Sequence, residues 1–189
     1  MVRSLTLVLA GAFFIVSAQA QLQLTPKISQ HEADGVKTEL LAFSDGGAKA
    51  ITYSPPRKWE YSGSPTKFTL RPPGKPQAEG TIVRISLDQP AVFDDQTMKK
   101  LAAEVLGSAP GGSTNVTLVS QEKNALLIAQ RETFLVIISY DFYGQNYQRS
   151  TMFLNRGNEQ VRFQFVSRAA DFKNLQMAFQ ASQLTWRNL

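Results

Sequence analysis

The chain has 189 residues, no cysteine, one histidine, and 20 Lys+Arg against 15 Asp+Glu, a formal charge of +5 at pH 7. Without a thiol there is no disulfide, no thiolate nucleophile and no cysteine-ligated metal centre, and any Ser-His-Asp triad or histidine metal site would have to be built on His31 alone. No run of five like charges occurs, so the positive balance fits either plain solubility or attraction to an anionic partner, and it disfavours nucleic-acid binding.

Residues 1–20, MVRSLTLVLAGAFFIVSAQA, combine a positive Arg3, an apolar stretch over 5–16 and the small-x-small ending Ala18-Gln19-Ala20. That is the pattern of a secretory signal peptide cut before Gln21. The rival reading, a membrane anchor, needs about 20 apolar residues and a basic flank, and the stretch has neither. Cleavage leaves 169 residues with a formal charge of +4, the size of one domain. The expectation is an exported protein, periplasmic or extracellular, with no stable membrane span after cleavage.

Residues 21–35, QLQLTPKISQHEADG, show no period and read as a polar lead-in, with His31 as a solvated residue. A single domain is expected over 36–189. Strands are predicted over 36–43 and 48–54, joined at Asp45-Gly46-Gly47 as a hairpin. Trp59 with Tyr61, and Phe68 with Leu70, suggest short strands with one apolar face. The segment 71–80, RPPGKPQAEG, is a loop, and 81–87 a strand covered on both faces for part of its length. A helix is predicted over about 94–106, capped by Asp94 or Asp95, with Met98, Leu101, Ala102 and Val105 on its buried stripe and Gly107 and Pro110 ending it. Read as metal ligands, Asp94 and Asp95 make less sense than as caps. Strands follow over 114–121, 134–143, 147–154 and 160–167. The stretch 124–131 fits a helical turn or a buried strand. A closing helix is expected over about 171–185, with Asp171 as N-cap and Phe172, Leu175, Phe179, Ser182 and Trp186 facing inward.

The pattern around YDFYGQNYQRSTMFLN (140–155) sets the expected register. A three-residue loop over 144–146 pairs Tyr143 with Tyr147, Asp141 with Arg149 and Ile138 with Met152, and the turn at 156–159 sets Phe163 opposite Met152. Phe134, Val136, Ile138, Tyr140 and Phe142 then share the dry face with Met152, Leu154 and Phe163. The other face ends in a polar group that includes Asp141, Tyr143, Tyr147, Arg149, Thr151, Arg162 and Gln164. Such a surface is either an ordinary solvated sheet face or a recognition surface, since Tyr and Arg dominate interface hot spots. The candidate partner-binding residues are Tyr143, Tyr147, Arg149 and Arg162.

No catalytic signature stands out. Neither Asp45-Gly46-Gly47 nor Pro110-Gly111-Gly112 has the spacing of a phosphate-binding loop, so no cofactor is expected. Glu60, Glu132 and Asp141 are carboxylates a hydrolase could pair, without a motif around them. Asn115-Val116-Thr117 matches a glycosylation sequon, which matters only in a eukaryotic secretory pathway.

Two segments carry a resemblance. Ile51-Thr52-Tyr53-Ser54-Pro55-Pro56-Arg57-Lys58-Trp59 is similar to the opening strand of the PsbP-like superfamily, which includes PsbP and DcrB-type envelope proteins. The closing helix with Phe179, Ser182 and Trp186 is similar to that superfamily's last helix. The resemblance covers about residues 36–186. It implies an α+β fold, an α/β/α sandwich around a mainly antiparallel sheet, and a non-enzymatic accessory or binding role. It brings no functional residues with it. The expected function is therefore an exported accessory protein that binds an envelope or extracellular protein, or an anionic ligand, through the polar end of the sheet. The alternatives are a carrier holding a small amphiphile between the sheet and the helix at 94–106, and a carboxylate-dependent hydrolase.

Overall fold

A computed structural model of the protein describes residues 21–33, 36–46 and 50–188. The leader read at 1–20 lies outside these residues, as do positions 47–49 of the first predicted hairpin. In chain order the elements are β1 (Gln23–Ala33), β2 (Val36–Ser44), β3 (Ala50–Tyr53), β4 (Glu60–Gly63), β5 (Lys67–Arg71), β6 (Glu79–Ser86), α1 (Asp95–Gly107), β7 (Thr114–Lys123), β8 (Thr133–Phe142), β9 (Gln145–Arg156), β10 (Glu159–Arg168), α2 (Ala169–Gln183) and the two-residue β11 (Arg187–Asn188). Seven strands form one antiparallel sheet in the order β4-β5-β6-β10-β9-β8-β7, and four form a second in the order β1-β2-β3-β11.

The two sides of the large sheet are covered differently. On one side lie α2 and the small sheet. Phe68 and Leu70 of β5, Ile82 of β6, Phe163 and Phe165 of β10 and Met152 and Leu154 of β9 pack there against Phe43, Tyr53, Phe172, Phe179 and Trp186. On the other side α1 places Leu101, Ala102 and Val105 over Phe134, Val136, Ile138 and Tyr140 of β8 and Phe153 of β9. This is the expected α+β arrangement of two helices on opposite faces of an antiparallel sheet. The second sheet is an addition that the sequence reading did not contain.

The lead-in reading of 21–35 is corrected. β1 pairs with β2 along most of its length, and Leu22 and Leu24 are fully buried. Two leucines in a polar stretch gave no periodic signal, and besides β2 the strand packs on β4, β5 and β6, later in the chain. β1 crosses β4 so closely that a Cβ on Gly63 would meet Pro26 Cδ at 2.4 Å and the Leu24 carbonyl oxygen at 2.5 Å. His31 stands on β1 opposite Thr38.

α1 is capped as expected. Asp94 Oδ1 accepts from the Thr97 amide at 2.7 Å, and that backbone donor is the main reason its carboxyl titrates below the usual range. α2 departs from expectation. Its N-cap is Arg168, which makes no side-chain cap, and Asp171 lies inside the first turn, where it pairs with Lys75 at 2.7 Å and suits the positive helix end. Its inward stripe holds: Phe172, Phe179 and Ser182 are buried, and Trp186 packs just beyond the helix. The ambiguous 124–131 stretch is neither helix nor strand. It is a turn closed by a bridge between Ile128 and Arg131, with Ile128 fully buried.

The register between β8 and β9 is also corrected. Tyr140 pairs with Tyr147, Asp141 with Asn146 and Phe142 with Gln145, so the connection is the two-residue turn Tyr143-Gly144, with φ of 48° and 70°. Positive φ at both positions is the hairpin geometry whose twist matches the strands, normally supplied by Asn-Gly or Asp-Gly. The shift from the expected pairing is an odd number of residues, so it moves all of β8 to the opposite face. Leu135 and Ile137 join Met152 and Leu154. Phe134, Val136, Ile138 and Tyr140 join Phe153 under α1. Both sets of β8 are apolar because both faces are covered, so the rule that apolar residues gather on one side could not discriminate. The β9–β10 pairing is as expected, with Phe163 opposite Met152.

The edge strand β7 carries two irregularities against β8, between Thr114 and Thr117 and between Leu118 and Ser120. Leu118 and Val119 are 42% and 50% exposed there.

Candidate functional site

On the α1 side the helix covers β8 and part of β9 and leaves the rest of the sheet open. Cross-strand pairing sets Arg149 beside Val166, Thr151 beside Gln164 and Phe153 beside Arg162, and continues from Gln164 to Thr81 and from Arg162 to Val83. A cavity of about 400 Å³ lies along the helix flank. Thr81, Val83, Gln164 and Val166 line it, with Lys67 and Glu79 on the β5–β6 side and Ser108 and Arg149 on the helix side.

The four candidate residues lie on this side or at its end. Arg149, on β9, reaches the C-terminal end of α1. Its Nη1 donates to the Ser108 carbonyl at 2.7 Å and to Ser108 Oγ at 3.0 Å, and its Nη2 lies 3.4 Å from the Tyr140 hydroxyl. The last turn of α1 contains no basic residue, so Arg149 supplies from another strand the cation that favours a helix C-terminus. Its guanidinium also lies 5.5 Å over the Tyr140 ring. The expected Asp141–Arg149 pair is absent. Asp141 instead accepts from Asn115 Nδ2 at 2.7 Å and Asn146 Nδ2 at 2.9 Å, and these bonds hold its carboxyl below the usual range. Arg149 has no ion-pair partner among the described residues.

Arg162 forms an ion pair with Glu104 of α1 and lies over the Phe153 ring at 5.1 Å. Tyr147 donates to Gln77 Oε1 at 3.1 Å, which ties the hairpin to the proline loop. Its ring stacks on Tyr140 with centroids 5.9 Å apart. Burial is the main cause that raises the Tyr140 phenol, partly offset by Arg149. Tyr143 stands apart at the hairpin tip, 89% exposed, in edge contact with Phe142 at 4.4 Å.

The structure therefore brings Tyr147, Arg149 and Tyr140 together, sets Arg162 further along the helix flank, and leaves Tyr143 projecting. Sequence reasoning missed Tyr140, Ser108, Gln77 and Glu104. The lack of a basic residue in the last turn of α1 was the one signal that could have pointed to a cation from elsewhere. The interior between sheet and α1, where a carried amphiphile was considered, is occupied by Phe93, Leu101, Phe134 and Phe153. The carboxylates considered for hydrolysis do not meet. Glu60 is on β4 at one end of the strand order, Glu132 pairs with Lys123 at 3.2 Å, and Asp141 lies at the far end of β8.

No protein-family model matches the sequence, and no curated protein matches it either. Solved structures do. The cyanobacterial PsbP (CyanoP) of Synechocystis superposes with a TM-score of 0.51 at 10% identity, covering 94% of this chain and 97% of that one. PA94 of Pseudomonas aeruginosa, a protein of unknown function, gives 0.50 at 14% identity, covering 84% and 94%. LpqN of Mycobacterium tuberculosis, involved in cell envelope biogenesis, gives 0.48 at 14% identity, covering 88% and 91%. The chain has a PsbP-like fold, as its opening strand and closing helix suggested. Among the described residues no helix is long and apolar enough to cross a membrane.

Proposed function

We propose that this is an exported, non-enzymatic accessory protein, released by cleavage before Gln21, that holds an envelope or extracellular partner at the β8–β9 hairpin tip and the adjoining polar part of the sheet. The observation that carries this reading is Tyr143: an aromatic residue 89% exposed and held at φ 48°. A bulky side chain in the left-handed region is costly, and an exposed ring gains little from the fold itself. Phe142 meets it edge-on and in turn packs on Tyr147, whose ring stacks on Tyr140 under the Arg149 guanidinium, so the tip is a preorganised aromatic anchor at the end of this stack. Tyr143 and Tyr147 supply contact area, Arg149 sets the positive charge that favours an acidic partner surface or an anionic ligand, and Arg162, shared with Glu104, would add to it only where a partner carboxylate competes with Glu104.

The test is affinity capture from envelope extract with residues 21–189 as bait, comparing wild type with the Tyr143→Ala variant, whose side chain is 89% exposed. The reading requires loss of specific captured material at unchanged Tm. Identical captured sets from both baits would refute it.

A further inference from the structure

Beside α1 the open part of the large sheet presents polar groups that the fold itself does not use. Cross-strand pairing lays Thr151 of β9, Gln164 of β10 and Thr81 of β6 in one row. Val166 and Val83 flank this row on the same face, one on each side of it. Gln164 and Thr81 line the cavity of about 400 Å³, and neither side chain has a hydrogen-bond partner among the described residues. Thr151, at the end of the row nearer the helix, is fully buried, and its hydroxyl is unpartnered as well.

The charges around this floor do not balance. Arg149 and Lys67 line the cavity as cations and Glu79 as a carboxylate, a net charge of +1. Glu79 is already held from outside the cavity by Arg71, whose Nε and Nη2 donate to Oε2 at 3.3 and 3.1 Å. Lys67 Nζ stays 3.9 Å from Glu79 Oε1, beyond hydrogen-bond distance. Arg149 has no carboxylate among the described residues. Its Nη1 is engaged by Ser108 and one Nη2 hydrogen by the Tyr140 hydroxyl, which leaves Nε and the second Nη2 hydrogen without an acceptor. The helix end beside it carries only about half a negative charge, so the guanidinium is not neutralised. Cation and unused donors together call for an acceptor from outside the chain.

We propose that this cavity binds a monocarboxylate whose body carries one further hydrogen-bonding group, with the carboxylate on Arg149. Nε and Nη2 form the edge of a guanidinium that grips a carboxylate by two parallel bonds. The guanidinium is fixed beforehand by the helix end and by the Tyr140 ring 5.5 Å away, so little side-chain freedom is lost on binding. Gln164 and Thr81 meet an amide or hydroxyl of the ligand, and Val83 and Val166 cover its apolar part. A single negative charge matches the wall, whereas a dianion such as phosphate exceeds it and faces Glu79. The cavity volume is that of a small-molecule site. A free hydroxy acid and the terminal carboxylate of a peptide share this chemistry. The inference deepens the reading above and rests on its polar sheet margin, not on the hairpin tip.

Residues 21–188 contain both sheets and both helices, so the 21–189 chain carries the whole site. Isotope-labelled protein is titrated, at constant ionic strength, with N-acetyl-alanine, with its neutral amide and with lactate, and followed by NMR. N-acetyl-alanine is expected to give saturable shifts at the amides of Thr81, Val83, Gln164 and Val166 and at Arg149 Nε, and the neutral amide none. Gln164→Glu keeps the size of the side chain and sets a second carboxylate in the cavity. It is expected to abolish the shifts while Arg149 keeps its hold on α1. Arg149→Lys is expected to weaken binding at least about tenfold, because an ammonium cannot make two parallel bonds to a carboxylate. Tighter binding of lactate assigns the site to free hydroxy acids, and tighter binding of N-acetyl-alanine assigns it to peptide carboxylates. Either result supports the proposal. No saturable shift from either acid, equal shifts from N-acetyl-alanine and its amide, or binding that both variants leave unchanged overturns it. Failure here with capture still dependent on Tyr143 removes this inference alone. Carboxylate binding with capture indifferent to Tyr143→Ala removes the hairpin tip and keeps the cavity.

Discussion

On the α2 side of the large sheet, Phe163, Phe165 and Leu154 meet a layer built from four strands and a helix, and the aromatic rings of Phe43, Tyr53, Phe179 and Trp186 close over them. On the α1 side the same strands present Phe134, Val136 and Phe153 under one helix, and beside it Thr81, Gln164, Arg149 and Arg162 around an open cavity. One side holds the fold, and the other is a small core with a polar margin. The difference separates positions whose loss costs most of the stability from positions whose loss costs less of it and changes what the protein touches.

The largest effect expected from breaking that contrast is on the closed side. Phe179→Ala removes a fully buried ring that stacks on Trp59 and packs near Phe165, and is expected to cost about 3–5 kcal/mol in urea denaturation. A loss below about 1 kcal/mol would mean that this side is not the packed one. On the open side Arg149→Ala is expected to cost about 1–2 kcal/mol, because it takes the donors from the end of α1. Hydrogen exchange should speed up in the last turn of that helix. Unchanged exchange with weakened capture would mean that the guanidinium serves the partner alone.

A smaller effect is read by pH and is shared by the two sides. Tyr53, on the closed side, is raised by burial, with the Ser182 hydroxyl 2.8 Å away acting in the lowering direction, and Tyr140 is raised as well. A raised folded value means that stability is full below the unfolded phenol value of about 10 and falls as pH climbs through the folded values. Tyr53→Phe is expected to cost about 0.5–1.5 kcal/mol near neutrality and to flatten this alkaline fall. An equally steep fall in the variant would assign it to other groups. The smallest effect has the opposite sign. Tyr143→Asn relieves the left-handed backbone at the hairpin tip and is expected to raise stability by up to about 1 kcal/mol while weakening capture. Gain in stability with intact capture would remove Tyr143 from the binding surface.

Most of the fold was legible where one period dominated. The α1 stripe Leu101, Ala102, Val105 and the α2 stripe Phe172, Phe179, Ser182 follow helical spacing, and the β9–β10 pairing follows from a single short turn. Reading failed where cover came from a distance. β8 is apolar on both faces, so its register rested on the turn, and Tyr-Gly is an uncommon filler for a turn with two positive φ values. β1 looked like a tail because its two leucines stand alone in a polar stretch, and apart from its neighbour β2 it packs on β4, β5 and β6 further along the chain. The candidate site was half legible. Tyr147, Arg149 and Arg162 were named from side-chain type, but Arg149's tie to Ser108 depends on a helix end 41 residues earlier, which no local pattern records.

β7 bears on how the protein behaves in bulk. A ten-residue strand at the rim of a sheet, with Leu118 and Val119 open to water, would ordinarily invite another chain to lie alongside it. Its two offsets against β8 interrupt the regular spacing of free amides and carbonyls, so an incoming strand finds no continuous row to match. The same irregularity that looks like a flaw in the ladder acts as a guard against fibre growth in a protein that has no disulfide to hold it shut.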